Sequence, residues 1–187
     1  MVSLRWYNEV MTPGKEIAAG IVVFRKTKEG PKFLVLYHGH NYWNFPKGKI
    51  ENEEKSLEAA FRETQEETGL EKKDLRLVRN FKVHERFSFR RGNQQIFKIV
   101  IFYLAETREE KIKLSSEHEG YGWFLCSEAK RILGKYKDSQ RVLKQSFDFL
   151  KNGERRRTID RKKITATTES NGVVPEYAQK IIENESH

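Results

Sequence analysis

The stretch from Phe45 to Leu70 constrains the fold of this chain more than any other stretch does. It opens on a Pro-Lys-Gly turn and continues, from Ser56 to Thr68, with the residue spacing of an amphipathic helix. Gly69 follows at the position where a left-handed residue commonly ends a helix. The sequence therefore predicts a loop, a helix and a second loop.

The two faces of this helix differ in chemistry. One face carries small and apolar residues, namely Leu57, Ala60, Phe61, Thr64 and Thr68. Glu63, Glu66 and Glu67 share the other face, at positions i, i+3 and i+4. Three neighbouring carboxylates repel one another unless cations lie between them, and oxygen ligands suit Mg2+, or Mn2+ as a second choice. The pattern predicts a magnesium site, with a solvated acidic face as the alternative.

Glycine, glutamate and arginine recur at fixed intervals through the stretch. Gly48 is followed after five residues by Glu54, and seven further residues lead to the run 62–70. This spacing resembles the Nudix box, with Thr64 where that family prefers an aliphatic residue. The resemblance implies an α/β fold, the Nudix α/β/α sandwich, in which a mixed β-sheet lies between helices.

The same resemblance implies a hydrolase that acts on phosphoanhydride bonds with the help of Mg2+. It implies a set of metal ligands, namely the carboxylates of Glu63, Glu66 and Glu67 and the carbonyl of Gly48. Glu67 and Glu66 are then also expected to take part in catalysis. Glu54 and Arg62 are expected to form an ion pair that braces the loop against the helix, and Gly69 is expected to be structural.

A second motif lies outside the box, from Ser115 to Trp123. It resembles the Ser-x-Glu-His-x-x-Tyr-x-Trp stretch of a Nudix subgroup, the asymmetrical diadenosine tetraphosphate hydrolases. The resemblance implies that Glu117 contacts the metal or acts as the general base, with Glu119 as the second choice and Glu66 as the alternative base. It implies a nucleotide or dinucleoside polyphosphate substrate, such as diadenosine tetraphosphate cut to ATP and AMP.

Residues that would contact such a substrate are cationic or aromatic. Lys47, His38 and His40 are candidates for meeting the polyphosphate. Phe87, Phe89 and Tyr121 are candidates for stacking on adenine, although most aromatic residues of strands belong to the core.

The rest of the chain before residue 150 alternates between strand and helix patterns. Strands are predicted over 17–25, 32–38, 75–89, 94–105 and 120–125, and helices over 128–133 and 139–150. In the strand 75–89, the apolar residues Phe81, Val83, Phe87 and Phe89 fall at odd positions, and polar residues alternate with them. We therefore expect an N-terminal arm over 1–15 and a Nudix hydrolase domain over 16–150.

Beyond residue 150 the composition becomes basic and poor in apolar residues. Seven lysines or arginines and two acidic residues lie between 151 and 163. Residues 151–187 are predicted to be a basic C-terminal extension, with a flexible linker followed by a short helix near 174–183. A basic segment of this kind provides a candidate surface for RNA.

Composition restricts the setting in which the chain works. Its 187 residues carry a formal charge of +9, which favours polyanionic partners without choosing among them. No apolar run reaches the roughly 20 residues that span a bilayer, so we expect a cytoplasmic protein without a membrane partner. Cys126 is the only cysteine, which excludes an intramolecular disulfide.

Alternative functions remain open at this stage. An RNA 5'-pyrophosphohydrolase or a diphosphoinositol polyphosphate hydrolase would use the same chemistry on another substrate. A Nudix-fold RNA-binding or regulatory module would be of another class, and such modules generally lose carboxylates of the box.

Overall fold

A computed structural model describes residues 14–171 of the protein. Within this range eight strands form one mixed sheet, and helices lie on both of its faces. The strands are β1 (Gly14–Thr27), β2 (Gly30–Tyr37), β3 (Trp43–Asn44), β4 (Lys47–Lys49), β5 (Arg76–Leu77), β6 (Val83–Arg91), β7 (Gln94–Glu106) and β8 (Gly120–Leu125). The helices are α1 (Ser56–Thr68), α2 (Cys126–Ile132) and α3 (Lys137–Asn171), with a 3-10 turn at Lys72–Asp74. The predicted α/β class is confirmed.

Strand β1 lies at the centre of the sheet. It pairs in parallel with β7, from Gly14 opposite Ile96 to Phe24 opposite Glu106. On its other side β1 pairs first with β4 and then with β2, both antiparallel. The run 18–24 of β1 is buried throughout, which explains why its sequence is almost continuously apolar.

The sheet separates two apolar layers. Helix α1 covers one face, where Ala59 and Ala60 pack against a cluster that includes Ala19, Ile21, Val23, Leu34 and Leu36. On the other face, the rings of Phe45 and Phe102 meet edge to face with centroids 5.7 Å apart. Val142 and Leu143 of α3 are also buried. The two layers fix α1, and with it the glutamates, on one side of β1 and β4.

Helix α1 has the predicted bounds, and Gly69 ends it with a left-handed backbone at φ 71°. Thr64, the departure from the family's aliphatic preference, is fully buried. Its hydroxyl donates to the Ala60 carbonyl at 2.7 Å, so the polar atom is satisfied within the helix and Thr64 is tolerated there.

The predicted strand over 75–89 is wrong in one respect. Instead of one strand the chain forms β5 and β6, with a break between residues 77 and 83. Asn80 adopts a left-handed backbone at φ 61°, which an extended strand cannot contain.

The linker expected to begin at residue 151 is a second difference. Helix α3 continues to Asn171, so residues 151–171 are helical. Lysine, arginine and glutamate are good helix formers, and Gly153 is the one strong helix breaker in this segment. Residues 1–13 of the predicted arm and the short helix near 174–183 lie outside the described residues, whereas Gly14 and Lys15, also predicted to belong to the arm, begin β1.

By its internal contacts the chain divides into two units. The first ends at Phe147 and holds the sheet, and the second begins at Asp148 and is helical to Asn171. Among the helices of the described range, none is long and apolar enough to cross a membrane.

Candidate active site

Gly48 and Glu63 are in close contact. Gly48 lies in β4 opposite Ala19 of β1, on the face that α1 covers. A Cβ atom at Gly48 would fall 1.9 Å from the carboxyl carbon of Glu63. Only glycine lets the helix carboxylate lie directly on the β4 backbone, which explains why glycine opens the box.

Arg62 gathers the carboxylates around it. Its Nε and Nη2 donate to the two oxygens of Glu54 at 2.9 Å each, so the ion pair expected from the sequence is present. Its Nη1 donates to Glu63 at 2.8 Å and to Glu66 at 3.1 Å. The hydrogen bond from Arg62 lowers the pKa of Glu54. Burial raises the pKa of Glu63, and Arg62 opposes this shift.

The three helix carboxylates differ in exposure. The side chain of Glu66 is 57% exposed, that of Glu63 15% and that of Glu67 9%. Glu67 accepts a hydrogen bond from the backbone N–H of Lys47 at 3.1 Å. Burial raises the pKa of Glu67 to about 7, and the charge and N–H of Lys47 oppose this shift. Glu67 is therefore the inner carboxylate of the set.

The loop from Ser115 to Glu119 docks on the end of α1. The backbone N–H of Ser115 donates to the carbonyl of Glu67 at 3.1 Å. His118 is held by a bond between its Nδ1 and the Ser115 hydroxyl, 3.0 Å long, and its Nε2 lies 3.7 Å from Oε1 of Glu67. Glu117 is exposed beside it, and its charge contributes to the raised pKa of Glu67.

His118 was missed by the analysis of the sequence, which considered only the carboxylates of this loop. Its position in the stretch from Ser115 to Trp123, between Glu117 and Glu119, could have identified it as a candidate. Its side chain is 1% exposed, and burial lowers its pKa, so the ring that meets Glu67 is neutral near pH 7.

A cationic and aromatic cluster continues from Glu67 on the other side of β4. The ammonium of Lys47 lies over the ring of Tyr42, 5.8 Å from its centroid. The ring of His38 contacts that of His118 with centroids 4.4 Å apart. His40, by contrast, is exposed in the turn after β2, so the structure does not bring it into this cluster.

The three candidates for adenine stacking do not lie together. Phe87 and Phe89 have ring centroids 6.1 Å apart, and Phe87 pairs with Lys98 on the face of the sheet away from α1. Tyr121 pairs with Leu36, which belongs to the cluster beneath α1. Because paired residues share a face, Tyr121 and the two phenylalanines lie on opposite faces and cannot stack on one base.

The oxygen atoms of the helix glutamates and of the Gly48 carbonyl suit a divalent cation, although the three carboxylates already accept hydrogen bonds from other groups of the protein. In the described part of the chain, no three histidine, cysteine, aspartate or glutamate side chains converge closely enough to hold an ion as they stand. Arg62 bonds one oxygen each of Glu63 and Glu66. Carboxylate oxygens are the ligands that Mg2+ and Mn2+ prefer, and the carboxylate of Glu63 already lies against Gly48.

Comparisons with known proteins indicate the family of this chain. A profile of the NUDIX domain matches residues 14–146. The mouse bis(5'-nucleosyl)-tetraphosphatase (asymmetrical) is 34% identical over 143 residues, which cover 71% of this chain and 94% of the mouse protein. The Vibrio cholerae RNA pyrophosphohydrolase is 37% identical, but over 65 residues that cover 35% of this chain and 37% of that protein.

A solved structure supports the same relationship. The crystal structure of a C. elegans Ap4A hydrolase binary complex matches with a TM-score of 0.63 and 28% identity, covering 73% of this chain and 98% of that one. Such relatives share the whole domain with this chain, including the sheet and the helix that carries the glutamates. The chain belongs to the Nudix family and is a hydrolase of that family.

Proposed function

We propose that the protein hydrolyses dinucleoside polyphosphates and cuts diadenosine tetraphosphate to ATP and AMP. One observation carries this proposal: the loop from Ser115 to Glu119, which lies outside the box, closes on Glu67. That loop begins the stretch from Ser115 to Trp123, which resembles the motif of asymmetrical tetraphosphatases. The length of the match to the mouse tetraphosphatase, 143 residues, supports the same substrate class.

A divalent cation, Mg2+ or Mn2+, would be held by Glu63, Glu66 and Glu67 with the carbonyl of Gly48. Such an ion neutralises phosphate charge and makes water a better nucleophile near neutral pH. Glu67 is anchored for this role by the N–H of Lys47 and by the docked loop. Arg62 spaces Glu63 and Glu66 and stays bonded to Glu54.

Glu117 is proposed as the general base. It is exposed, so a water molecule can reach it, and its charge influences the pKa of buried Glu67. In the reaction the water oxygen attacks phosphorus, its proton passes to the base, and the phosphoanhydride bond to the leaving nucleotide breaks. Glu66, also exposed, is the alternative base.

Lys47 is proposed to meet the polyphosphate, because its ammonium lies over the ring of Tyr42 and its charge acts on Glu67, which its backbone N–H also holds. His38 would line the same path as a neutral ring. Phe87 and Phe89, on the Lys47 side of the sheet, are proposed to stack on adenine, whereas Tyr121 on the other face is the weaker candidate.

An RNA 5'-pyrophosphohydrolase is the second candidate. It is favoured by the local likeness to the Vibrio cholerae enzyme and by the basic residues between 151 and 163. The catalytic step would be the same, so only the substrate distinguishes the two candidates.

The test is turnover with Mg2+ of diadenosine tetraphosphate, 5'-triphosphate RNA, a diphosphoinositol phosphate and ADP-ribose. Diadenosine tetraphosphate should give the highest kcat/KM. Glu67→Gln should lower kcat by at least about a hundredfold, roughly 2.7 kcal/mol of transition-state stabilisation, because it removes a ligand charge and keeps the shape.

The matched control is Glu58→Gln, an exposed glutamate in the first turn of the same helix. It should retain wild-type turnover. Higher activity on RNA would overturn the dinucleotide assignment, and a fully active Glu67→Gln protein would overturn the role of the helix carboxylates.

A further inference from the structure

Glu85 is a charged residue on the apolar face of β6. It is 3% exposed and lies between Val83 and Phe87, opposite Val100 of β7. Its Oε1 accepts a hydrogen bond from the hydroxyl of Ser139 in α3 at 2.6 Å. Its Oε2 is buried and has no hydrogen-bond partner in the described part of the chain. A buried carboxylate oxygen without a donor is costly, so Oε2 of Glu85 is a site where a further donor would be stabilising.

The charged groups that face Glu85 come from β4 and α3. Lys47, Asp138 and Arg141 all act on it electrostatically, and burial is the largest influence on its pKa, which is raised. Arg141 is already paired with Asp138 at 2.8 Å. The ammonium of Lys47 instead rests over the ring of Tyr42, a contact much weaker than a buried ion pair.

Lys47 and Glu85 lie on the same face of the sheet. Lys47 pairs with Gly20 of β1, Gly20 pairs with Phe102 of β7, and Phe102 pairs with Val83, two residues before Glu85. Gly20 presents no side chain between the two groups, and a Cβ there would collide with Lys47 itself. The flexible four-carbon stem of a lysine can swing across such a gap without any change in the backbone.

We propose that Glu85 is a positioning residue, whose unpaired Oε2 competes with the ring of Tyr42 for the ammonium of Lys47 when no polyphosphate is bound. The inference rests on the proposed function, in which Lys47 meets the substrate phosphates. Binding of a polyphosphate then draws the ammonium away from Glu85. The buried carboxylate competes with substrate for one cation and so sets the apparent affinity of the site.

Glu85→Gln tests this competition, because the amide keeps the shape and can still accept from Ser139. With the competitor gone, the KM for diadenosine tetraphosphate should fall about fivefold while kcat stays nearly unchanged, since a larger fraction of the protein is ready to bind. Glu16→Gln is the matched control. That carboxylate lies on the same face but is already bonded to Arg91 and close to Lys98, so KM should not change.

The fall in KM must depend on Lys47. In a Lys47→Met background, Glu85→Gln should have no effect on KM, and an equal fall there would overturn the proposal because it would show a general field effect. An unchanged or raised KM in the single variant would also overturn it. Should Glu85→Gln fail to fold, Glu85→Asp retains the charge but shortens the reach, and a wild-type KM for it would be equally fatal.

A binding measurement separates this inference from the proposed function. Calorimetry with inorganic tripolyphosphate requires no turnover, and Glu85→Gln should bind it about fivefold more tightly than the wild type. If the wild type does not cleave diadenosine tetraphosphate, the proposed substrate is wrong, yet this titration still decides the role of Glu85. Equal Kd values in the two proteins would refute it.

Discussion

Two neighbouring imidazoles, buried His118 beside Glu67 and half-buried His38, are kept neutral by their surroundings. Burial lowers the pKa of His38 to about 3, and the charges of Lys47 and His118 contribute in the same direction. The pKa of His118 is also lowered, chiefly by burial. A protonated ring here would repel Lys47, so the neutral pair leaves the charge of Lys47 unopposed.

The protein should therefore lose stability in mild acid. Between pH 6.5 and about 3 the unfolded chain binds a proton at residue 38 that the folded protein does not bind, so the free energy of unfolding falls as pH falls. This residue should contribute a slope of up to about 1.4 kcal/mol per pH unit. Urea unfolding with chelator at pH 7, 6 and 5 should show a shallower slope for His38→Gln than for the wild type.

His40→Gln supplies the control, since His40 is exposed in the neighbouring turn. Its stability should follow the wild-type curve at every pH. Parallel curves for His38→Gln and the wild type would show that His38 titrates normally in the folded protein.

Some functional side chains could be predicted from the sequence and others could not. The box glutamates were found because helical periodicity places them on one face. Glu85 was overlooked, although it interrupts a run of apolar odd positions from Phe81 to Phe89. Its bond to Ser139 joins residues 54 positions apart, and no local pattern reveals such a partner.

Among the elements, the loop between β7 and β8 carries the sharpest functional prediction. Glu117 is exposed near Glu67, whereas the carboxylate of Glu119 lies against Gly39, where an added Cβ would come within 2.4 Å of it. Glu117→Gln should slow kcat by about a hundredfold with little change in KM, a typical loss for a general base. Glu119→Gln should have a much smaller effect.

Both loop variants should be compared at saturating substrate from pH 6 to 9. Loss of the base should also remove the acidic limb of the pH–rate profile, which a merely structural defect would leave in place. Were Glu119→Gln the more damaging variant, or were neither harmful, the base would be sought at Glu66 within the helix.

The bounds of helices and strands could be predicted from the sequence where burial gives the apolar residues a clear period. Helix α1 and strands β1, β7 and β8 match their predicted patterns closely. The break between β5 and β6 depends on the backbone of Asn80, since asparagine tolerates the left-handed region but does not require it. The length of α3 was underestimated because a charged segment suits a helix and a linker equally well.

At the scale of the whole molecule, the extension beyond residue 150 should be dispensable for a dinucleotide. The NUDIX match ends at residue 146, and every proposed site residue precedes it. Deletion of residues 151–187 should leave cleavage of diadenosine tetraphosphate within a few fold of the wild type. On RNA the deletion should weaken binding and flatten its salt dependence, by up to about 0.7 slope units per lost phosphate contact.

The double variant Arg155→Gln, Arg156→Gln is a milder change than the deletion, since both side chains are exposed. It should act in the same direction on RNA and leave the dinucleotide unaffected. A severe loss of dinucleotide cleavage on deletion would assign the extension to the catalytic unit.

The parallel pairing of β1 with β7 also determines when the protein can form during synthesis. Gly14 meets Ile96, and Phe24 meets Glu106, so the central contacts join positions 82 residues apart. A nascent chain cannot complete the pairing of β1 with β7 until residue 106 has left the ribosome, and high contact order of this kind slows folding. Until then the apolar run 18–24 has no strand partner on that side, and an exposed apolar edge of this kind is prone to aggregation.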